Sequence, residues 1–494
     1  MSAIDWIIVA AYGAILIAIG VAASRKQNST DEYFRGSRQL PWWAVGFSII
    51  ATSFSAASLL GGPGQGFNDG LLYLQYQLGD LIGYGLVAAL FLPFFVNLNL
   101  TTAYEYLEKR FDGKTRSLGS LCFLLFVIAR LGGLLYAAAL AVATVVSIPV
   151  PAAIFLVGIV SIIYTVAGGI AAVVWTDVLQ FAMIFVGLGA GLWAAANGVP
   201  GGFSELWSTA ATAGKFTIVD PSLALTSGYS WPTAFFAYGV LAFAVAGTNQ
   251  QSVQRYVSCA DVSSGRKAIF LGWFSGFLGV AATLIFGALL FSYYQINEGL
   301  PADLAGDKIL SHFIVNDVPQ GAAGLLVAAI FAAAMSSIDS ALHSLATCMT
   351  VDFYDRYSTA PPNEARSLKV AQGLIVVWGL LGIAAAFWVA TTEQNLLEFL
   401  IQFTTAFIGP LLALFLMGVL IPRVNANGAF YGTVAAVILL KVGVDAGWIT
   451  LPFLWRSAVI VPVAVVLGLL ISLAGKVPAE RSTQGLTFWS KARE

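Results

Sequence analysis

Short hydroxyl side chains are concentrated in two apolar stretches of the sequence. The first stretch, 51–58, reads ATSFSAAS and runs into a Gly-Pro-Gly sequence at 62–64. A helix of this composition is expected to be interrupted, and an interruption frees carbonyl oxygens that can bind a cation where they line a cavity. Close packing of helices through small residues is the alternative explanation.

The second stretch, 332–340, reads AAAMSSIDS. Ser336, Ser337 and Ser340 follow the spacing of one helical face, and Asp339 lies on its flank. Hydroxyl and carbonyl oxygens are hard donors suited to an alkali cation, and a nearby carboxylate supplies negative charge. The pattern indicates half of a cation site. The alternative is that the serines bond back to their own helix and that Asp339 is solvated.

Three further charged residues lie within apolar stretches, where a charge is costly and indicates function. Asp177 requires a cation, a proton or a basic partner, unless it is an interfacial carboxylate at the start of a helix. The planar guanidinium of Arg130 suits a carboxylate, which belongs either to a solute or to the protein. Asp80 is the internal candidate for that partner, and it shares a helical face with Gln77.

The composition indicates a chain that lies in lipid. Of the 494 residues, 59% are hydrophobic and 10% are charged, and the mean hydropathy is +0.84, which excludes an ordinary water-soluble domain. The net charge of −1 without a basic run argues against nucleic-acid partners. No nucleophile paired with a base and no zinc-protease motif occurs, and His312 and His343 lack metal-ligand neighbours, so an enzyme is not expected.

The sequence predicts an all-α integral membrane protein, because apolar stretches of about 20 residues recur along its length. The first is read as a retained helix rather than a signal peptide. We predict thirteen transmembrane helices, at 4–23, 42–67, 70–96, 117–146, 150–167, 170–196, 231–250, 267–293, 321–351, 368–390, 395–420, 427–446 and 457–474.

The distribution of basic residues predicts the orientation of the chain. If the N-terminus is outside, most of the 24 lysines and arginines, Arg255 among them, fall in loops on the inner side or in the C-terminal tail. Positive charge is retained on the cytoplasmic side of membranes. We therefore expect a multi-pass protein of the bacterial inner (plasma) membrane with an external N-terminus and a cytoplasmic C-terminus.

Four separated motifs resemble those of the sodium:solute symporter family. They are DEYFRG at 31–36, Gly168-Gly169 leading into WTD at 175–177, VQRY at 253–256 and the Ser336-Ser337 helix. The resemblance covers about residues 30–420. Within the family, the pattern looks most like bacterial sialic acid symporters, and sodium/sugar cotransporters are more distant.

This resemblance implies a five-plus-five inverted-repeat transporter fold, in which the first helix of each repeat is broken at mid-membrane. The corresponding division has four parts. A first peripheral helix occupies 1–30, the first repeat (spans two to six) 31–197, the second repeat (spans seven to eleven) 198–421, and two C-terminal helices with a short tail 422–494.

The resemblance also implies which residues bind sodium, the expected coupling ion. The main site would use backbone carbonyls and two hydroxyls, from Ala51, Phe54, Ala333, Ser336 and Ser337. A second site, for sodium or a proton, would use Asp177, Ser336, Asp339 and Ser340. Asp339 departs from the sialic acid pattern, which has a serine there, so one or two sodium ions are expected.

The solute site implied by the resemblance contains Ser53, Ser55, Ser58, Gln77, Arg130 and Gln402. In this interpretation Arg130 binds a carboxylate. If Asp80 also faces the cavity, it could hold the amine of an amino acid. The expected function is sodium-driven import of a small anionic or polar organic solute by alternating access, with a carboxylated sugar such as sialic acid as the first candidate. The alternatives are amino acids, neutral sugars or short carboxylates, and, in other classes, a transporter-like sensor or a channel. The sequence does not predict the oligomeric state.

Overall fold

The structure is a computed structural model of the whole chain. It describes all residues except 25–28, 147, 226, 302, 303, 305, 360, 362, 393–395, 451 and 492–494. The described part is helical, and its strand-like pairing is a single bridge between Asp220 and Ser230. An all-α fold is therefore confirmed.

Twenty-one α-helices follow one another along the chain. They are α1 Ala3–Ser24, α2 Thr30–Arg35, α3 Trp42–Ser53, α4 Ala56–Asp69, α5 Tyr76–Leu86, α6 Leu92–Asn97, α7 Glu105–Arg110, α8 Gly113–Val146, α9 Val150–Asn197, α10 Gly202–Thr212, α11 Tyr238–Thr248, α12 Gln250–Tyr256, α13 Val262–Asn297, α14 Ile309–Asn316, α15 Ala322–Cys348, α16 Asp355–Tyr357, α17 Glu364–Ala390, α18 Leu396–Leu420, α19 Ala426–Asp445, α20 Phe453–Leu473 and α21 Phe488–Lys491. Turns of π-helix, at Val87–Phe91, Thr233–Ala237 and Met349–Tyr354, extend α5, precede α11 and extend α15.

The number of helices that can cross a membrane differs from the predicted thirteen. In the described residues ten helices are long and apolar enough, or eleven if α3 and α4 form one bent span. Two of the predicted spans correspond to shorter apolar helices, Val150–Ile163 and Thr233–Thr248. The chain is a multi-span membrane protein, but thirteen spans are not confirmed.

The predicted interruption of the second span is present, but not at the Gly-Pro-Gly sequence. Between α3 and α4 the axis bends by 71°, and Phe54 has φ −90° and ψ 89°. Pro63 lies inside α4. There the small residues serve close packing, because a Cβ on Gly66 would lie 2.1 Å from the carbonyl oxygen of Leu284 in α13. The break and the tight contact are therefore separate features of neighbouring segments.

A second break separates α11 from α12. Asn249 is extended, with φ −74° and ψ 122°, and its side chain accepts a hydrogen bond from the backbone of Gln251. The short helix α12 therefore begins with a side-chain cap, as expected of Asn at this position. A broken helix is what the resemblance implied for the span predicted at 231–250.

The predicted spans 150–167 and 170–196 belong to one long helix, α9. Gly169 interrupts its geometry, with φ 53° and ψ −175°. A side chain rarely adopts a positive φ, so glycine permits the kink without strain. The kink separates the half that begins at Val150 from the half that carries Asp177.

The centre of the bundle is α15. In its most apolar window, which spans 322–357, 89% of residues are buried, against 22% for α1. Runs of alanine allow neighbouring backbones to approach closely. A Cβ on Gly187 of α9 would lie 2.4 Å from the Cβ of Ala329. The hydroxyl-bearing stretch of α15 is therefore enclosed by protein rather than by lipid.

The first helix is attached to the beginning of α15. One carboxylate oxygen of Asp5 accepts hydrogen bonds from the backbone nitrogens of Gly321, at 2.8 Å, and Gly324, at 2.9 Å. The first amides of a helix have no partner within the helix, and a carboxylate is favoured near them. Asp5 thus caps α15 from a different helix.

Candidate cation and solute site

The end of α3 presents carbonyl oxygens to α15. The last helical bond of α3 runs from the nitrogen of Phe54 to the oxygen of Ile50, at 2.8 Å. The following carbonyls lie beyond this bond at the negative end of the helix. One of them, that of Thr52, accepts a hydrogen bond of 3.0 Å from the hydroxyl of Ser337. The break therefore lies beside the serines of α15.

Ser336 and Ser337 are both buried, and each hydroxyl donates its proton to a carbonyl. Ser336 donates to the oxygen of Ala333 at 3.1 Å, and Ser337 to that of Thr52. A hydroxyl that donates its proton in this way still has lone pairs to offer. Ala51, Phe54 and Ala333 are buried as well. Hard oxygen donors around a helix end suit a monovalent cation such as sodium.

Asp177 has a basic partner. Its Oδ2 atom lies 2.8 Å from a terminal nitrogen of Arg255, and both side chains are buried. The hydroxyl of Ser48 donates to the same oxygen at 2.5 Å and accepts a hydrogen bond from Arg255 Nε at 2.7 Å. The alternative of an interfacial carboxylate is therefore wrong. The count that places Arg255 in a loop is corrected in the same way, since Arg255 is 1% exposed.

Ser340 connects this ion pair to the serines of α15. It accepts a hydrogen bond of 2.5 Å from Arg255 and donates one of 2.7 Å to the oxygen of Ser336. The hydroxyl of Thr52 lies 3.0 Å from that of Ser340. The ion pair and the carbonyls at the end of α3 are thus parts of one buried polar network.

Asp339 points away from this stripe toward α9. The hydroxyl of Thr165 donates to its Oδ1 atom at 3.2 Å, and the residue is 1% exposed. The interpretation of Asp339 as a solvated carboxylate is therefore wrong. Its position on the flank of the helix follows from the sequence spacing.

The serines expected to bind solute lie at the break. Ser53 is exposed although its neighbours Thr52 and Phe54 are buried, so it faces a cavity between the helices. Ser55 begins α4, and its hydroxyl lies 3.4 Å from that of Ser58. Because α4 begins here, the positive end of its dipole faces the same region.

Arg130 and Asp80 do not form the internal ion pair that was one alternative. Neither takes part in an ion pair anywhere in the described part of the chain. Arg130 lies above the ring of Phe126, 5.9 Å from its centre. The amide of Gln77 approaches the carboxyl of Asp80. Gln402 belongs to α18, but its side chain lies outside the described residues.

Four residues of the buried network were not predicted as part of a site, namely Ser48, Thr52, Thr165 and Arg255. Arg255 was visible as part of a motif but was placed in a loop. Ser48 and Thr52 are four residues apart, and their shared face with Asp177 becomes apparent only in the fold. A spacing of four between hydroxyls in an apolar helix was the available signal.

These features define an all-helical, multi-span membrane transporter rather than an enzyme. The model of the sodium:solute symporter family matches residues 33–436. The chain belongs to this family, and the resemblance of its four motifs is confirmed.

Several relatives cover most of the chain. The sodium/sialic acid symporter NanT of Aliivibrio fischeri is 34% identical over 88% of this chain and 86% of its own length. The sodium/sialic acid symporter SiaT of Proteus mirabilis is 33% identical over 88% of each chain. The sodium/glucose cotransporter of Vibrio parahaemolyticus is 30% identical over 88% of this chain and 84% of its own.

Solved structures agree with this assignment. A substrate-bound, outward-open sodium-coupled sialic acid symporter superposes with a TM-score of 0.88, at 30% identity over 97% of this chain and 99% of its own. The nucleobase-cation-symport transporter Mhp1 has a TM-score of 0.59 at 12% identity, covering 93% of this chain and 98% of its own. The second likeness concerns the fold alone. Both support a sodium-coupled symporter.

Proposed function

We propose that the protein imports a small carboxylated solute together with sodium, by alternating access across a bacterial inner membrane. The observation that carries this proposal is the hydrogen bond from Ser337 to the carbonyl of Thr52. It joins the hydroxyls of α15 to the carbonyls at the end of α3. In this proposal the main sodium ion binds to the carbonyls of Ala51, Phe54 and Ala333 and the hydroxyls of Ser336 and Ser337.

Sodium between α3 and α15 would hold the broken helix in place for the solute. Binding of the two ligands is then linked, so each increases the affinity for the other by the same factor. A membrane potential of 100 mV contributes about 2.3 kcal/mol for each charge that moves inward. We propose that the two broken elements, α3–α4 and α11–α12, lie in inverted repeats that rock around this site.

The solute is held in this proposal by Ser53, Ser55, Ser58, Gln77, Arg130 and Gln402. Arg130 binds its carboxylate, and the positive end of α4 faces the same group. The similarity to sialic acid symporters makes a carboxylated sugar such as sialic acid the first candidate. Amino acids, neutral sugars and short carboxylates are the alternatives.

A second cation site is proposed at Asp177, Ser336, Asp339 and Ser340. Arg255 already neutralises Asp177, so an ion here would depend on Asp339 for its negative charge. In Asp339→Ser we expect the Hill coefficient for sodium to fall toward one. An unchanged coefficient removes Asp339 from the site.

Uptake into proteoliposomes tests the main proposal. We expect an inward sodium gradient to drive accumulation of a carboxylated solute and an equal potassium gradient to fail. Counterflow separates a carrier from a channel, because trans-stimulation occurs only in a carrier. Equal uptake or binding in sodium and potassium would overturn the proposal.

A further inference from the structure

Asp80 is a carboxylate on the protein-facing side of α5. The exposed residues of this helix, Leu78, Leu81 and Ile82, mark its outer face. Gln77 and Gly83, which flank Asp80 on the other face, are buried, whereas Asp80 itself is half-buried. A half-buried residue on an inward face borders a cavity. Asp80 therefore faces the interior of the bundle.

Arg130 is placed in a similar way on α8. It shares a helical face with Phe123, Phe126 and Leu134, all of them buried, but it is itself half-buried. Its guanidinium has no ion-pair partner in the described part of the chain. A positive and a negative side chain thus both border internal space without neutralising each other.

Tyrosines surround Asp80. The ring of Tyr238 lies 4.7 Å from that of Tyr76, which lies 4.9 Å from that of Tyr73. The carboxyl of Asp80 is an electrostatic neighbour of the hydroxyls of Tyr73, Tyr84 and Tyr238. A carboxylate among aromatic faces is a favourable environment for an organic ammonium group, through charge and cation–π attraction.

Two contacts connect this group to the solute site. The hydroxyl of Tyr84 approaches Ser53, which faces the cavity at the break. Tyr238 is the electrostatic neighbour of both Asp80 and Arg130. The carboxylate, the tyrosines and the guanidinium therefore border the same region beside the broken helix.

We propose that Asp80 and its tyrosines select a solute that carries an ammonium group as well as a carboxylate. This inference rests on the proposed function and narrows its substrate class to zwitterions. The carboxylate of the solute binds Arg130, and its ammonium group binds Asp80. An uncompensated carboxylate at Asp80 disfavours solutes that are only anionic, because like charges in a site of low dielectric constant repel strongly.

Binding to the purified full-length protein tests this selection. The probes are β-alanine and γ-aminobutyrate, their amine-free counterparts propionate and butyrate, and N-acetylneuraminate, a sugar acid without a charged amine. Thermal shift or calorimetry is carried out in sodium and in potassium. We expect at least one zwitterion to bind the wild type in sodium about tenfold more tightly than its amine-free counterpart.

Variants locate the selection at one side chain. Asp80→Asn is expected to remove the preference for the zwitterion, and Asp80→Glu to retain part of it. Asp445→Asn, which alters an exposed carboxylate on α19, is the matched control and is expected to change nothing. The sodium-induced shift without solute shows whether each variant is folded.

Three results would overturn the inference. They are the absence of binding by either zwitterion, equal binding of the amine-free counterparts, and an equal effect of Asp80→Asn on N-acetylneuraminate and on the zwitterions. The last result would identify Asp80 as an acceptor for hydroxyls. Sodium-dependent binding of sugar acids that does not depend on Asp80 would leave the proposed function intact. Zwitterion preference without any preference for sodium would do the reverse.

Discussion

Arg255 holds the carboxylate of Asp177 at 2.8 Å, in a part of the bundle where both side chains are almost completely buried. The two residues belong to α12 and α9, which are otherwise separate in the chain. Ser48 and Ser340 complete the contacts of the guanidinium from α3 and α15. One arginine thus joins four helices around the candidate cation site.

The first prediction concerns this ion pair. Replacing one buried partner leaves the other charge uncompensated, which typically costs about 3–5 kcal/mol. We expect Asp177→Asn and Arg255→Gln each to lower the denaturation midpoint strongly, and the double variant to recover part of the loss. The exposed pair of Lys441 and Asp445 is the control, with an expected effect of about 0–1 kcal/mol. Additive losses in the double-mutant cycle would show that the pair is not coupled.

The second prediction concerns Ser337. Ser337→Ala removes a proposed ion ligand and the hydrogen bond to Thr52. The sodium concentration for half-maximal uptake should rise at least tenfold, about 1.4 kcal/mol. Ser344→Ala is the matched control, because Ser344 is also buried in α15 and donates to a carbonyl of its own helix, that of Ala341, at 3.0 Å. If both variants change sodium dependence equally, the effect belongs to the helix and not to the site.

The third prediction concerns Arg130. Charge-assisted hydrogen bonds contribute about 1.5–3 kcal/mol, so Arg130→Ala should weaken binding of carboxylated solutes at least tenfold. The sodium-induced thermal shift without solute should stay close to that of the wild type. Isothermal calorimetry with and without sodium measures both quantities. Unchanged affinity for carboxylates would place the solute elsewhere.

The fourth prediction concerns the contact between α4 and α13. A Cβ on Gly66 meets the backbone of Leu284, and one on Gly287 meets the carbonyl oxygen of Pro63 at 2.0 Å. We expect Gly66→Ala to destabilise the protein by about 1–3 kcal/mol, as overpacking does. Gly61→Ala in the same helix meets nothing within 4 Å and should be neutral or slightly stabilising. Equal midpoints in thermal denaturation would show that the two helices separate easily.

The fifth prediction concerns the cap on α15. Asp5→Ala removes the acceptor for the amides of Gly321 and Gly324. Loss of a helix cap costs about 0.5–2 kcal/mol. Asp5→Asn keeps an oxygen acceptor and should lose less. Denaturation midpoints of the three proteins provide the measurement, and an equal loss in both variants would mean that charge rather than hydrogen bonding matters.

The sequence predicts the hydroxyl stripe of α15 because helical periodicity converts spacing into a shared face. It also predicts that the second span is broken. The position of the break was less accessible, since glycine and proline serve both interruption and close packing. In this chain Gly66 and Pro63 pack α4 against α13, while the break occurs at Phe54.

The partner of Asp177 could not be found from local spacing. Arg255 is 78 positions away in the chain, and only the assembled bundle brings them together. A charge count by loops assigned Arg255 to the membrane surface, because a short helix after a break looks like a loop in the sequence. The relation of Arg130 to Asp80 failed for the same reason, since a shared helical face does not fix distances between helices.

The hydrogen bond from Ser337 to Thr52 exists before any ion arrives. An incoming ion therefore does not have to break it, and little binding free energy is lost in rearranging the ligands. Preorganisation of this kind improves affinity by lowering the cost of association. Discrimination between alkali ions should then appear mainly in their residence times, because dissociation rates vary more than association rates among related complexes.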